Sequence, residues 1–312
     1  MARATNKSAY KILPRFYDQL MALHRPLFEK ARQRILWHLF AAPGDKARVH
    51  RPPLQKACDL CAGTGTTALE LAGLGGQSKH GGQILSPWAA QSATQTGGRG
   101  ASGKIQRPAK TRSAKAQPVR VYAVDGSPEM CRLARAKMRL AHAPVRVIQA
   151  DMRSFRLPER VDLVTCEFDA INDLPQKKDL ARVARAVARA LKPGGYFCFD
   201  ANTAKSHKEV WPMSWVTEGR GFFFATRGGY DTKRDKGWTA FEWFLPAGPT
   251  GKTWRRFTER YVQVAWTDAE IRSALSNAGL DVVGVWDQIR FAHDKPWLKP
   301  GCRFFYLAKK KM

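Results

Sequence analysis

Short apolar runs punctuate the chain, separated by stretches with helical spacing. KACDLC (56–61), VRVYAV (119–124), VRVIQA (145–150), VDLVTCEF (161–168) and YFCFD (196–200) are brief and rich in β-branched or aromatic residues. Runs of that length and composition predict buried parallel strands. Helical stretches lie between them. SPEMCRLARAKMRLAH opens with Ser127 as an N-cap, Pro128 at the first helical position and Glu129 in the first turn. QKKDLARVARAVARALKPGG places Leu180, Val183, Ala184, Val187 and Leu191 on one face, and its Pro-Gly-Gly predicts the stop. Up to about Leu54 the pattern is mainly helical, with FEKARQRILWHLF the clearest segment. Strand–helix alternation of this kind predicts a doubly wound α/β sheet.

After Asn202 the rhythm changes. Aromatic and polar residues alternate between glycine-rich turns from Trp215 to Trp266, which predicts antiparallel strands. TDAEIRSALSNAGL then reads as a capped helix, with Thr267 as N-cap, Glu270 three residues on and Gly279 at the stop. DVVGVWD and CRFFYLAKK are the closing strands. Residues 75–117 fit neither period: they are rich in Gly, Ser, Gln and Ala, with seven Lys/Arg and no acid. That composition predicts a surface excursion inserted between a helix and the next strand. The expected organisation is a helical cap (1–54), an α/β core (55–202, carrying the 75–117 insertion), an antiparallel lid (203–266) and a segment completing the core sheet (267–312).

Composition narrows the class. A 312-residue chain with 44% hydrophobic residues, ten Trp and sixteen Phe carries a sizeable core. No apolar run approaches the ~18 residues of a membrane span, so no membrane partner is expected. The basic start lacks the apolar stretch of a signal peptide. Six scattered cysteines suit a reducing cytoplasm, the expected compartment. Cys58 and Cys61 form a lone CxxC, read as small residues filling a strand end and turn, and no metal is expected. The net charge of +27 raises RNA as an alternative partner, because Lys and Arg gain affinity by releasing counterions from phosphates.

The stretch DLCAGTGTTA runs from a strand into a glycine turn and a helix. Gly63-Thr-Gly65-Thr-Thr-Ala68 formally fits a dinucleotide pattern, and no Gly-Lys-Ser/Thr follows to make a P-loop. Against NAD stands Asp59, an acid at the strand end where a carboxylate would face pyrophosphate. A cofactor with an ammonium group and no phosphate suits it better, and S-adenosylmethionine is such a molecule.

Here the sequence resembles the class I S-adenosylmethionine-dependent methyltransferases, from about Ala57 to Asn202 and again over the last forty or so residues. DLCAGTG is similar to the family's first motif, with Cys61 in place of its usual first glycine. The resemblance implies a Rossmann-like, mostly parallel sheet with an antiparallel last strand, an antiparallel β lid and an N-terminal helical cap. It implies Asp59, Cys61, Gly63 and Gly65 at the cofactor. Asp125, beside Gly126 in VYAVDGSPEM, matches the residue that holds the ribose hydroxyls; Met130 matches the apolar residue on the adenine face. VIQADM implies Asp151 for the adenine amino group and Met152 for the ring. Glu167 and Phe168, ending the fourth strand, join the cofactor set. Tyr10 and Tyr17 resemble a helical cover over the cofactor.

CEFDAINDL, FDANT and ERYVQVAWTDAEIRSALSNAGL resemble the small-molecule branch of the family. The resemblance therefore implies methyl transfer to an O or N atom of a small-molecule acceptor by in-line displacement. Asp169, Asn172 and His207 are the catalytic candidates, with His293 as a further candidate base. Tyr230, Trp238, Phe241, Trp243 and Arg260 either line an aromatic acceptor pocket or form a second small core. Two other readings stay open: an RNA methyltransferase using the basic surface and insertion, and a non-catalytic nucleic-acid-binding protein on the same fold.

Overall fold

In a computed structural model, residues 11–37, 39, 54–73, 118–248, 252–292 and 298–312 are described. The 75–117 excursion, Tyr10 and His293 lie outside them. Two N-terminal helices, α1 (Leu13–Met21) and α2 (Arg25–Trp37), precede β1 (Lys56–Leu60) and α3 (Thr66–Gly73). After the excursion come β2 (Arg120–Asp125), α4 (Pro128–Leu140), β3 (Val145–Gln149), β4 (Val161–Cys166), α5 (Lys178–Ala190), β5 (Leu191–Asn202) and α6 (Ala204–Glu209). Four strands follow: β6 (Val216–Gly219), β7 (Phe222–Asp231), β8 (Lys236–Ala247) and β9 (Thr253–Val264). The chain closes with α7 (Asp268–Ser276), β10 (Leu280–Asp287) and β11 (Arg303–Lys310).

Strands β1 to β5, β10 and β11 make a seven-stranded sheet in the order β10-β11-β5-β4-β1-β2-β3. Pairing is parallel except where β11 runs against both β5 and β10. Period-two alternation sends successive side chains to opposite faces. Ala57, Val121, Leu163, Cys198 and Leu307 meet α2 and α3 on one side. Cys58, Tyr122, Val164, Phe197 and Tyr306 meet α5 and α7 on the other. The strand order reverses between β1 and β4, and the crevice beyond their carboxyl ends is where a doubly wound sheet binds ligands.

The strand limits differ from expectation at two places. β4 stops at Cys166 rather than Phe168, because Phe168 and Asp169 turn into left-handed backbone (φ 61° and 49°). The helix α5 ends at Ala190 without a glycine cap, and β5 begins at once, so 192–195 belong to the strand. Lys310 Nζ takes over the capping, donating to the carbonyls of Ala188 (2.6 Å) and Leu191 (2.9 Å).

Strands β6 to β9 form a separate antiparallel sheet, the lid. Its aromatics settle into a core of their own. Phe222, Phe224, Trp243 and Tyr261 pack with Leu13 and Leu20 of α1, and Phe241 and Phe16 join them. Of the two readings of the lid aromatics, the second small core accounts for Trp243 and Phe241. Trp238 stays 37% exposed with the Arg260 guanidinium 6.0 Å from its ring, and Tyr230 donates to Asp235 on the surface.

Helix starts follow their caps. Ser127 accepts from the Met130 N–H, and Thr267 with Glu270 closes a full capping box at α7. Thr267→Ala is expected to lower stability by about 1 kcal/mol, read as a shift in the urea midpoint at unchanged slope.

Candidate active site

The glycine turn at the end of β1 is held from three sides. Left-handed backbone at Cys61 (φ 58°), Gly63 (φ 55°) and Gly65 (φ 80°) folds the chain back on itself. The positive φ at Gly65 favours glycine, and a Cβ there would lie 3.3 Å from Ala134 Cβ of α4. From β2, Asp125 accepts the Gly63 N–H with Oδ2 and the Ser127 N–H with Oδ1, each at 2.8 Å. A carboxylate offers about four lone-pair sites, so acceptor capacity remains for a ligand. Burial pushes the Asp125 carboxyl up, against the backbone hydrogen bonds from Ser127, Gly63 and Gly126.

From above, α1 lays the Tyr17 ring over Gly63: a Cβ there would lie 3.2 Å from the ring. Asp18 accepts from Thr64 Oγ1 at 2.6 Å and pairs with Lys137 at 2.8 Å. Lys137 in turn donates to Thr64 Oγ1 (2.9 Å) and Thr66 Oγ1 (2.6 Å). Tyr17, Arg25, Asp59, Cys61, Thr64 and Glu167 are among the residues that line the small cleft enclosed here.

Beneath the turn lies a buried charge cluster. Arg32 of α2 reaches both Glu167 and Glu70, and Glu167 also accepts from Thr67. Burial opposes the Arg32 charge, but the two carboxylates outweigh it and hold the guanidinium protonated. Asp59 beside them is 2% exposed; its Oδ1 accepts from Thr165 Oγ1 at 3.0 Å, while its Oδ2 is buried with no partner. Burial, aided by the nearby Glu167 carboxylate, pushes the Asp59 carboxyl up to about 8. A buried acid with one orphaned oxygen, aimed at a glycine turn, is a group prepared for a cationic ligand atom.

Of the remaining expected cofactor residues, Cys61 and Phe168 line the same cleft. Cys61 Sγ lies 3.7 Å from Met152 Sδ. Met130, in the first turn of α4, is 2% exposed. Asp151 is exposed and paired bidentately with Arg153, which holds its carboxyl below the usual range. Gly126 follows Asp125 with no crowding at its Cα. Phe168 stacks on Phe28 of α2, ring centroids 3.9 Å apart.

The three catalytic candidates have different surroundings. Asp169 stands at the crevice in strained left-handed backbone, pinned by Arg303 (2.7 Å) and by Gln263 Nε2 (2.5 Å). Gln263 Nε2 also donates to Asp173 at 3.0 Å, so one amide gathers two carboxylates. Asn172 is fully buried and spent on the backbone, donating to Asn202 O and Val264 O and accepting the Asn202 N–H. It ties the core sheet to the lid and presents nothing to an acceptor. His207 is fully buried too; its Nε2 meets Gln263 Oε1 at 3.3 Å and its ring edges onto Trp211. Burial depresses its basicity, against the hydrogen bond to Gln263. It supports Gln263 from behind.

Arg32, Gln263, Arg303 and Lys137 were missed from the sequence. Arg32 left one signal, a lone charge in the apolar stripe Phe28–Ala31–Ile35. The others left none, because their partners are remote in the chain. Among the described residues no cluster of His, Cys, Asp or Glu is arranged to hold a metal ion, and no helix is long and apolar enough to cross a membrane.

Residues 98–195 match a family model described as a methyltransferase domain. No curated protein matches the chain in sequence. Among solved structures, an S-adenosylmethionine-dependent methyltransferase from Clostridium acetobutylicum is 18% identical with a TM-score of 0.64, covering 97% of this chain and 99% of that one. An amino pentose methyltransferase from Micromonospora echinaspora, solved with S-adenosylmethionine bound, is 18% identical with a TM-score of 0.57, covering 94% and 96%. A sugar N-methyltransferase from a Streptoalloteichus species is 20% identical with a TM-score of 0.54, covering 84% and 82%. Over residues 98–195 the sequence is similar to a methyltransferase domain, and over nearly its whole length the chain shares the fold of S-adenosylmethionine-dependent methyltransferases.

Proposed function

We propose that this enzyme methylates a small molecule at a nitrogen or oxygen atom, and that of the two the acceptor is an amine nitrogen. The observation that carries the reading is the pairing of the orphaned, buried Asp59 Oδ2 at the glycine turn with the two carboxylates, Asp169 and Asp173, gathered by Gln263 under the lid.

S-adenosylmethionine, when bound, supplies an electrophilic methyl group on a sulfonium. Asp59 would receive its ammonium group, Asp125 the ribose hydroxyls, and Asp151 with Met152 the adenine. The fit rests on residues already arranged: Asp125 has lone pairs to spare, and Asp59 has an oxygen with no partner.

On the acceptor side, Gln263 gathers Asp169 and Asp173, and the Arg303 charge is divided between Asp169 and Asp200. Those carboxylates would attract a protonated amine, which gives up its proton to solvent before its lone pair attacks. Much of the remaining acceleration comes from alignment and exclusion of water by the lid. The amino pentose and sugar N-methyltransferases share the fold, which supports the amine by analogy only.

The test has two stages. Calorimetry with S-adenosylhomocysteine should show binding; absence of binding ends the reading. Turnover on matched amine and alcohol panels, followed by S-adenosylhomocysteine release, should favour amines. Turnover on alcohols alone would move the acceptor to oxygen. An RNA pool in the same assay, at low and high salt, checks the polyanion alternative.

A further inference from the structure

Helix α1 is nine residues long, and Ile12 at its N-cap offers no capping side chain. Isolated helices of that length are marginal, and their first N–H groups need partners. The partner comes from the lid. Glu259 of β9 accepts the backbone N–H groups of Lys11 (2.7 Å) and Ile12 (2.9 Å) on Oε1 and that of Leu13 (3.2 Å) on Oε2. The same Oε2 takes Trp243 Nε1–H at 2.9 Å. Glu259 is 4% exposed, so this is a buried carboxylate serving as a helix cap from across the molecule. A negative charge at a helix N-terminus is also favoured by the backbone dipoles.

The two faces of α1 then have different duties. Leu13, Phe16 and Leu20 pack on the lid, with the Phe16 ring 4.6 Å from Phe222 and 5.5 Å from Trp243. Tyr17 and Asp18 face the glycine turn, at Gly63 and Thr64. One short helix therefore touches the acceptor lid and the cofactor turn together, and its order depends on a lid carboxylate.

We propose that Glu259 is a positioning residue for methyl transfer: by capping α1 it couples the acceptor lid to the cofactor turn, so that loosening the lid weakens cofactor binding. The inference rests on the cofactor reading above. With Glu259 in place, Tyr17 and Asp18 are held over the turn, and a lid that shifts carries them with it.

The test compares Glu259→Gln, Glu259→Asp and Phe16→Ala with the unchanged protein. Gln keeps the shape of the side chain but turns an N–H donor toward the cluster of donors, whereas Asp keeps the charge and both acceptors. S-adenosylhomocysteine affinity is expected to fall at least tenfold in Glu259→Gln and to recover largely in Glu259→Asp. The KM for S-adenosylmethionine should rise more than kcat falls, and amide exchange across residues 13–21 should quicken. Phe16→Ala, which leaves the cap intact and loosens α1 from the lid, should weaken cofactor binding in the same direction. Unchanged cofactor affinity in Glu259→Gln, whatever its melting temperature, overturns the coupling. If Glu259→Gln does not fold, unchanged affinity in Phe16→Ala does so. Failure of the unchanged protein to bind S-adenosylhomocysteine is a separate result and strikes the cofactor reading.

Discussion

Titration with S-adenosylmethionine or S-adenosylhomocysteine at pH 7 is expected to expel close to one proton. The source is Asp59, whose carboxyl is pushed up to about 8 by burial and by Glu167. In the free protein at pH 7 it is therefore mostly protonated. Arrival of an ammonium group beside the orphaned Oδ2 favours the ionised form. Calorimetry in buffers of different ionisation enthalpy reads the number directly. Asp59→Asn should abolish the release and weaken affinity roughly 10- to 100-fold, the worth of a hydrogen bond to a charged group. Proton release unchanged in that variant would relocate the source.

The same carboxyl has a signature without ligand. Its pKa is raised in the folded state, so between about pH 4 and 8 the folded protein holds a proton that the unfolded chain has lost. Stability from this group is complete below the unfolded value of 3.8 and declines as pH rises toward 8. Glu70 and Asp200, each pushed up to about 7 chiefly by burial, slope the same way. The difference between the unchanged protein and Asp59→Asn isolates one contribution from three.

The second large effect is expected at Asp125. Asp125→Ala should weaken S-adenosylhomocysteine binding 100-fold or more, because two charge-assisted hydrogen bonds of roughly 1.5–3 kcal/mol each are lost. It should also lower the melting temperature by a few degrees, since the Gly63 and Ser127 N–H groups lose their acceptor. Cooperative unfolding together with lost affinity supports the ribose assignment. Retained affinity removes it.

Much of the sheet was legible because strand burial and helix caps are local signals. KACDL, RVYAVD and VRVIQ announce themselves by composition, and Thr267 with Glu270 spells a helix start within four residues. The glycine turn was legible for the same reason. What could not be read were the long-range partners. Nothing near Arg32 names Glu167, 135 residues away, and nothing near Ile12 names Glu259, 247 away. His207 and Asn172 illustrate the converse: polar residues near the expected site turn out to be buried and turned inward. Residue type suggests chemistry, but burial decides which polar groups remain available for it.

The place where the long excursion leaves the core has a consequence of its own. It departs from the end of α3 and returns at the start of β2, the amino end of the sheet, whereas the glycine turn and Asp169 stand at the carboxyl ends. The two described ends of that stretch, Gly73 and Arg120, therefore stand at the pole of the sheet opposite the glycine turn and Asp169.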